Sequence, residues 1–315
     1  MNEQEKNNHL MRLASFFSVG TAFVLMIAKL ATFMLTGSMA ILSSLFDSVQ
    51  DMLTSLINLI AVREATTPAD KEHRFGHGKA QALGGLIQSL IIIAASCILL
   101  KESIIRFMKP QELREVGLGL IVTILAIFLT AGLVSFQRLV VKRTQSLSIK
   151  ADLAHYTGDI FMNIGVCASI IISYYLKWYF VDALFGILVA LYLIYSISVV
   201  LKESLNMLMD KEISPQIRKE IKKTACSITG VYDCFDLKTR LSGNEMFAQC
   251  SVSLDDELSL KDAHEKTDII EEKIHQKYPT MHLVIHPEPI SQNKRGRTKQ
   301  QYILDQSKNP KLPTT

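Results

Sequence analysis

Residues 44–55 read SLFDSVQDMLTS, two aspartates four positions apart inside a long apolar stretch. Read as a helix, this spacing stacks Asp47 and Asp51 on one face, and Ser44 and Ser55 extend the same stripe. A second stretch, 150–163, KADLAHYTGDIFMN, repeats the design with Asp152, His155, Asp159 and Asn163. Two helices would therefore each present ionisable side chains one turn apart. Whether they stand in water or in lipid decides the fold, and the rest of the chain answers that.

Of the 315 residues, 49% are apolar, and they are clumped. The stretches 80–100, 116–137 and 183–201 contain no charged residue. Each is long enough to cross a hydrocarbon core, which takes about 20 residues. Several such segments cannot share one soluble core, so the chain reads as an α-helical membrane protein. Six spans are expected, at 13–35, 39–62, 82–103, 116–137, 152–176 and 180–202. The first is too long for a signal-peptide core and is followed by no small-residue cleavage site, so it reads as a retained anchor.

An even number of spans puts both ends of the chain on one side. Lys6, Arg12, Arg63, Lys71, Arg74, Lys79, Arg138, Lys142, Arg143 and Lys150 fall on that side. The other side holds Lys101, Arg106, Lys109, Arg114 and Lys177. The excess of positive charge points to both termini in the cytoplasm of a cell (inner) membrane protein. A net charge of +4, spread along the chain, gives no reason to invoke nucleic acid. The five cysteines form no C-x-x-C pair, which argues against a disulfide framework or a zinc knot.

Beyond about residue 205 the pattern becomes that of a soluble domain. An amphipathic helix is expected over 215–228, strands over 231–241 and 245–254, a second helix over 260–278 and a third strand over 282–286. This αββαβ order suggests a small α+β, ferredoxin- or metallochaperone-like layer of one sheet and two helices. The expected organisation is a short N-terminus (1–12), a six-helix transmembrane domain (13–204), the αββαβ domain (205–290) and a polar, disordered tail (291–315).

One ionised Asp at mid-membrane costs roughly 3 kcal/mol, and three carboxylates with an imidazole would cost on the order of 10 kcal/mol if unpaired. They must be protonated, hydrated or bound to a cation. Three carboxylate oxygens and one imidazole nitrogen suit tetrahedral Zn²⁺. Fe²⁺ and Mn²⁺ are compatible with the same donors, and the absence of thiolates argues against Cu⁺. A polar helix contact without metal and a proton-only pathway are the alternatives. Lys29 in the first span snorkels or faces a polar cavity, and Asp182 opens the sixth span at the interface. No nucleophile motif, phosphate loop or prosthetic-group fingerprint is present, so the chain does not read as an enzyme.

The pair Asp47-x-x-x-Asp51 and His155-x-x-x-Asp159, the loop Arg74-Phe75-Gly76-His77-Gly78-Lys79 and the small C-terminal α+β domain together resemble the cation diffusion facilitator family. The resemblance runs from about residue 10 to about 290. It implies a homodimer in the lipid bilayer that alternates its access and exports a divalent cation against protons. The donor set resembles the bacterial zinc/iron branch, which makes Zn²⁺ or Fe²⁺ the expected cargo, with Mn²⁺ or Cd²⁺ as alternatives. Many zinc members carry histidine where this chain has Asp47, and manganese-type members lack the histidine seen here as His155.

Asp70, His73 and His77 are spaced to converge on a cation in the loop after the second span, where family members place a second, entry or coupling site. In the C-terminal domain His264, His286 and Glu288 stand at positions that in related exporters belong to a metal site cementing the dimer, with His282 on the strand face of His286. Here Phe235 and Ser251 replace two expected histidines. Similar proteins pair a lysine and an aspartate, at the positions of Lys79 and Asp210, where the membrane part meets the soluble domain. A membrane-anchored metal-sensing scaffold working through the soluble domain is the rival reading.

Overall fold

A computed structural model describes residues 3–36, 39–109, 117–176, 178 and 180–292. The expected disordered tail lies outside these apart from its first two residues. The chain divides into two compact units, Met1–Leu208 and Met209–Thr315.

The first unit holds α1 (Glu3–Thr36), α2 (Met39–Ala65), α3 (Ala80–Met108), α4 (Gly117–Thr144), α5 (Leu147–Leu176) and α6 (Val181–Leu208). Its burial pattern is inverted relative to a water-soluble bundle. Large apolar side chains such as Phe16, Met34, Ile60, Phe128 and Tyr195 point outward, while Ser15, Ser18, Ser55, Gln88, Ser89, Gln137 and Ser148 lie wholly inside. In lipid the outside is apolar and helices associate through small and polar side chains, so this is the distribution a bilayer selects. Close approach is built in at Gly84 of α3: a Cβ there would stand 2.3 Å from the Ala61 Cβ of α2 and 2.9 Å from the Ser148 hydroxyl of α5.

By length and apolarity, four helical segments among the described residues qualify as membrane crossings: Glu5–Leu35, Ala80–Met108, Leu120–Thr144 and Ala183–Leu208. The described residues also hold two further long helices, α2 and α5. These two carry the Asp and His residues singled out in the sequence. Asp47, Ser48, Gln50, Asp51, Thr54, Ser55 and Asn58 interrupt α2, and Lys150, Asp152, His155 and Asp159 interrupt α5. The helices also overrun the expected spans at several ends, as at Glu3 of α1, because an apolar run marks the lipid-facing part and not the end of hydrogen bonding.

The second unit contains α7 (Pro215–Cys226), β1 (Asp233–Ser242), β2 (Glu245–Leu254), α8 (Leu260–Lys277) and β3 (Met281–Pro289), the expected αββαβ order. Ser214 caps α7 by accepting from the Ile217 N–H with Pro215 at the first turn, and Ser259 caps α8 by accepting from the Asp262 N–H. The sheet order is β1-β2-β3, with β2 antiparallel to β1 and parallel to β3. One core of Ile221, Ala225, Val231, Val252, Ile270 and Ile274 joins both helices to the sheet. The outer strand β1 breaks register between Phe235 and Lys238, where Asp236 has a positive φ of 51°. At the other margin, β3 ends in Pro287 and Pro289.

Candidate metal centre

The helix pair α2 and α5 brings three of the four expected donors together. His155 Nε2 lies 3.0 Å from Asp51 Oδ1 and 3.8 Å from Asp159 Oδ2. Donor atoms of these three residues all stand within 4.8 Å of one another. A tetrahedral ion about 2.0 Å from each donor would hold neighbouring donors roughly 3.3 Å apart. The observed separations bracket that value, so an ion needs only small side-chain rotations.

Asp47 lies outside this group of three. Four residues along a helix rise about 6 Å, so Asp47 stands one turn from Asp51, with an exposed side chain. Lys29 of α1 donates to the Ser44 carbonyl at 3.1 Å and lies within electrostatic reach of both Asp47 and Asp159. It therefore faces the polar seam and not the lipid.

The His155 geometry restricts what the centre can hold. With Nε2 3.0 Å from a carboxylate oxygen, one hydrogen lies between Nε2 and Asp51, carried by one or the other. An ion bound at Nε2 has to replace that hydrogen, so proton and metal compete for one nitrogen. Next to it, the Tyr156 hydroxyl ties the two helices through Ser55 Oγ at 2.8 Å and donates to the Ser18 carbonyl of α1 at 3.2 Å.

The loop between α2 and α3 forms a second group. Asp70 lies 3.5 Å from His73 Nδ1 and 3.4 Å from His77 Nε2, and its donors and theirs fall within 4.8 Å. Its Oδ1 accepts from the backbone N–H groups of His73 at 2.6 Å and Glu72 at 2.9 Å. These bonds, the His73 one foremost, hold the Asp70 carboxyl below the usual carboxylate range. Gly76, at φ 74°, supplies the left-handed turn that returns the chain from His73 to His77. Glu64 at the end of α2 also approaches His77 Nε2, at 3.7 Å, a neighbour that motif spacing did not mark.

The C-terminal donors are not brought together: among the described residues no group of three forms there. His264 sits on the exposed side of α8 and pairs with Asp268 at 3.5 Å. His286 and Glu288 lie on β3, in register with Ser251 and Ser253. His282 stacks on Phe247 at 4.9 Å. Phe235, where a histidine was expected, is buried. Asp210 pairs with Arg240 at 3.4 Å within the second unit.

Residues 15–209 match the cation efflux transmembrane domain, and residues 213–290 match the cytoplasmic domain of cation efflux proteins. Cation-efflux pump FieF of Klebsiella pneumoniae (strain 342) is 36% identical over 282 residues, covering 90% of this chain and 94% of that protein. FieF of Salmonella choleraesuis (strain SC-B67) is 38% identical with the same coverage. Among solved structures, the zinc form of the putative zinc transporter CzrB aligns over 27% of this chain and 99% of that one, at 27% identity and a TM-score of 0.26. The chain belongs to the cation efflux, or cation diffusion facilitator, family: an integral membrane protein that moves divalent metal cations out and is a transporter, not an enzyme.

Proposed function

We propose that this chain works as a homodimer that exports Zn²⁺ or Fe²⁺ from the cytoplasm in exchange for protons. The observation that carries the reading is the single nitrogen, His155 Nε2, shared between Asp51 and Asp159. Two carboxylates and one imidazole neutralise a divalent ion and accept protons when it leaves, so binding of either drives release of the other. Asp47, one turn away, takes the role of a fourth donor reached by a short shift of α2 against α5, and it tunes ion choice. All six long helices cross the bilayer in this reading, α2 and α5 with their polar faces turned inward, as intramembrane charges require. The excess of Lys and Arg on one side supports cytoplasmic termini. Asp70, His73 and His77 act as a cytoplasmic entry site.

Purified protein in liposomes should move Zn²⁺ or Fe²⁺ when a proton gradient is imposed, and Asp51→Ala and Asp159→Ala should each stop it. Normal transport by both variants would remove the proposed centre. A competition series with Zn²⁺, Fe²⁺, Mn²⁺ and Cd²⁺, on the natural chain and on Asp47→His, ranks the cargo.

A further inference from the structure

Beyond the metal centre, Asp152 of α5 accepts three side-chain hydrogen bonds. It is wholly buried. Its Oδ2 accepts from the Ser18 hydroxyl at 2.6 Å and from Gln137 Nε2 at 2.7 Å, and its Oδ1 accepts from Gln88 Nε2 at 3.2 Å. Gln137 Nε2 also reaches Ser18 Oγ at 2.9 Å. Helices α1, α3 and α4 thus converge on one carboxyl of α5, and every side chain that touches it is neutral.

The ionisable groups around it are few. On α5 they are His155, one turn on, with Tyr156 and Asp159 beyond it, and all three feel the Asp152 charge. From α2 come Asp51, bonded to His155, and Asp47 one turn further along. No charged residue occurs on α1 between Arg12 and Lys29, on α3 between Lys79 and Lys101, on α4 before Arg138, or on α6 between Asp182 and Lys202. Asp152 is also not one of the clustered metal donors.

Three neutral donors suit an ionised carboxylate but supply no countercharge, and burial makes that form costly. The neutral acid has the opposite need, an acceptor for its O–H. Two stand ready: Gln88 Oε1 and Gln137 Oε1 are both buried with no hydrogen-bond partner. Each amide already touches the carboxyl through Nε2, so a half-turn about its last bond exchanges donor for acceptor. The same cage can therefore satisfy Asp152 with or without a proton, and no helix has to move.

We propose that Asp152 is a proton-binding site distinct from the metal centre, loaded at one stage of the transport cycle and emptied at another. Loading forms an O–H bond on the carboxylate with a proton taken from hydronium, which leaves as water, and unloading reverses this. The proposal rests on the proton-exchange reading given above.

The test compares the natural chain with Asp152→Asn, which is permanently neutral and nearly isosteric. In liposomes carrying a pH-sensitive dye, D152N should bind Zn²⁺ within about threefold of the natural affinity, yet move about one proton fewer per ion and lose part of the pH dependence of flux. Independently of transport, infrared spectra of the natural protein in bilayers should show a carboxylic-acid carbonyl band that grows on acidification and is missing in D152N. Gln88→Ala, which removes only the longest of the three bonds, should move the pH at which that band appears, and it decides the question if D152N does not fold. An unchanged proton count with the band intact in D152N overturns the proposal. Failure of the natural chain to exchange protons for metal overturns the exchange reading instead, and the infrared titration tells the two apart.

Discussion

Tyr156→Phe removes a single oxygen at the seam that sets the metal centre. The Tyr156 hydroxyl donates its only proton to the Ser18 carbonyl, so the Ser55 hydroxyl must be the donor in the 2.8 Å bond between α2 and α5. Both side chains are buried. In the variant the Ser55 hydroxyl loses its acceptor, which costs about 1–3 kcal/mol for a buried group. A serine in a helix can turn its hydroxyl onto the carbonyl four residues back, as Ser15 and Ser89 do. The loss should therefore fall near 1 kcal/mol, or about 2–4 °C in Tm for a domain of this size. Removing both partners, Ser55→Ala with Tyr156→Phe, should restore most of that stability, with a coupling of about 1 kcal/mol. Thermal unfolding of the three variants in detergent measures it, and a Zn²⁺ titration should show Tyr156→Phe binding several-fold more weakly. Strictly additive variants, or Tyr156→Phe with natural stability and affinity, would refute the idea that this bond sets the α2–α5 spacing.

Gly84→Ala sets the new Cβ against the Ala61 Cβ at 2.3 Å, where carbons ordinarily rest about 3.5–4.0 Å apart. Neither atom can rotate away, so α2 and α3 must part, and Tm should fall by the equivalent of about 1–3 kcal/mol while Gly132→Ala, which meets nothing, stays near the natural value. Cys226 has its thiol pushed up to about 11, first by burial and then by the neighbouring Cys234. At pH 7.5 maleimide or iodoacetamide should label it on the order of a hundredfold more slowly than a free surface thiol, and rate against pH, followed by mass spectrometry, should climb past the usual thiol range. Asp70, whose carboxyl is held low chiefly by the His73 N–H, contributes order to its loop fully above the usual carboxylate range and loses it as pH falls toward the lowered value. Hydrogen exchange should show the His73 and Glu72 amides losing protection in Asp70→Ala at neutral pH. Protection that survives the substitution counts against the loop geometry.

Local chemistry made much of the architecture legible. The strand 245–254 follows from the Ser242-Gly243-Asn244 turn signal before it, and α7 from its amphipathic pattern. Residue spacing also placed Asp51, His155 and Asp159 face to face, because four-residue steps on two helices leave few other arrangements. Spacing does not report how far two helices slide along each other, so it could not show that Asp47 lies outside the cluster of Asp51, His155 and Asp159. Nor could it show which distant residues share a level. Ser18, Gln88 and Gln137 lie on three helices, and their convergence on Asp152 exists only after packing. The hints available were Gln88 inside the charge-free run 80–100 and Gln137 at the end of the run 116–137. At the C-terminal site, His264 sits on α8 and His286 and Glu288 on β3, so matching positions along the chain did not guarantee a shared centre.

The two margins of the small sheet share a property that bears on assembly. An unpaired strand edge is an open template for another strand, and chains that display one are prone to join edge to edge without limit. Here one margin is kinked by the break at Asp236, and the other ends in Pro287 and Pro289, which offer no N–H. Growth of a continuous ribbon from copy to copy is thereby obstructed on both flanks. Contact between soluble domains through side-chain surfaces is favoured over strand-to-strand pairing.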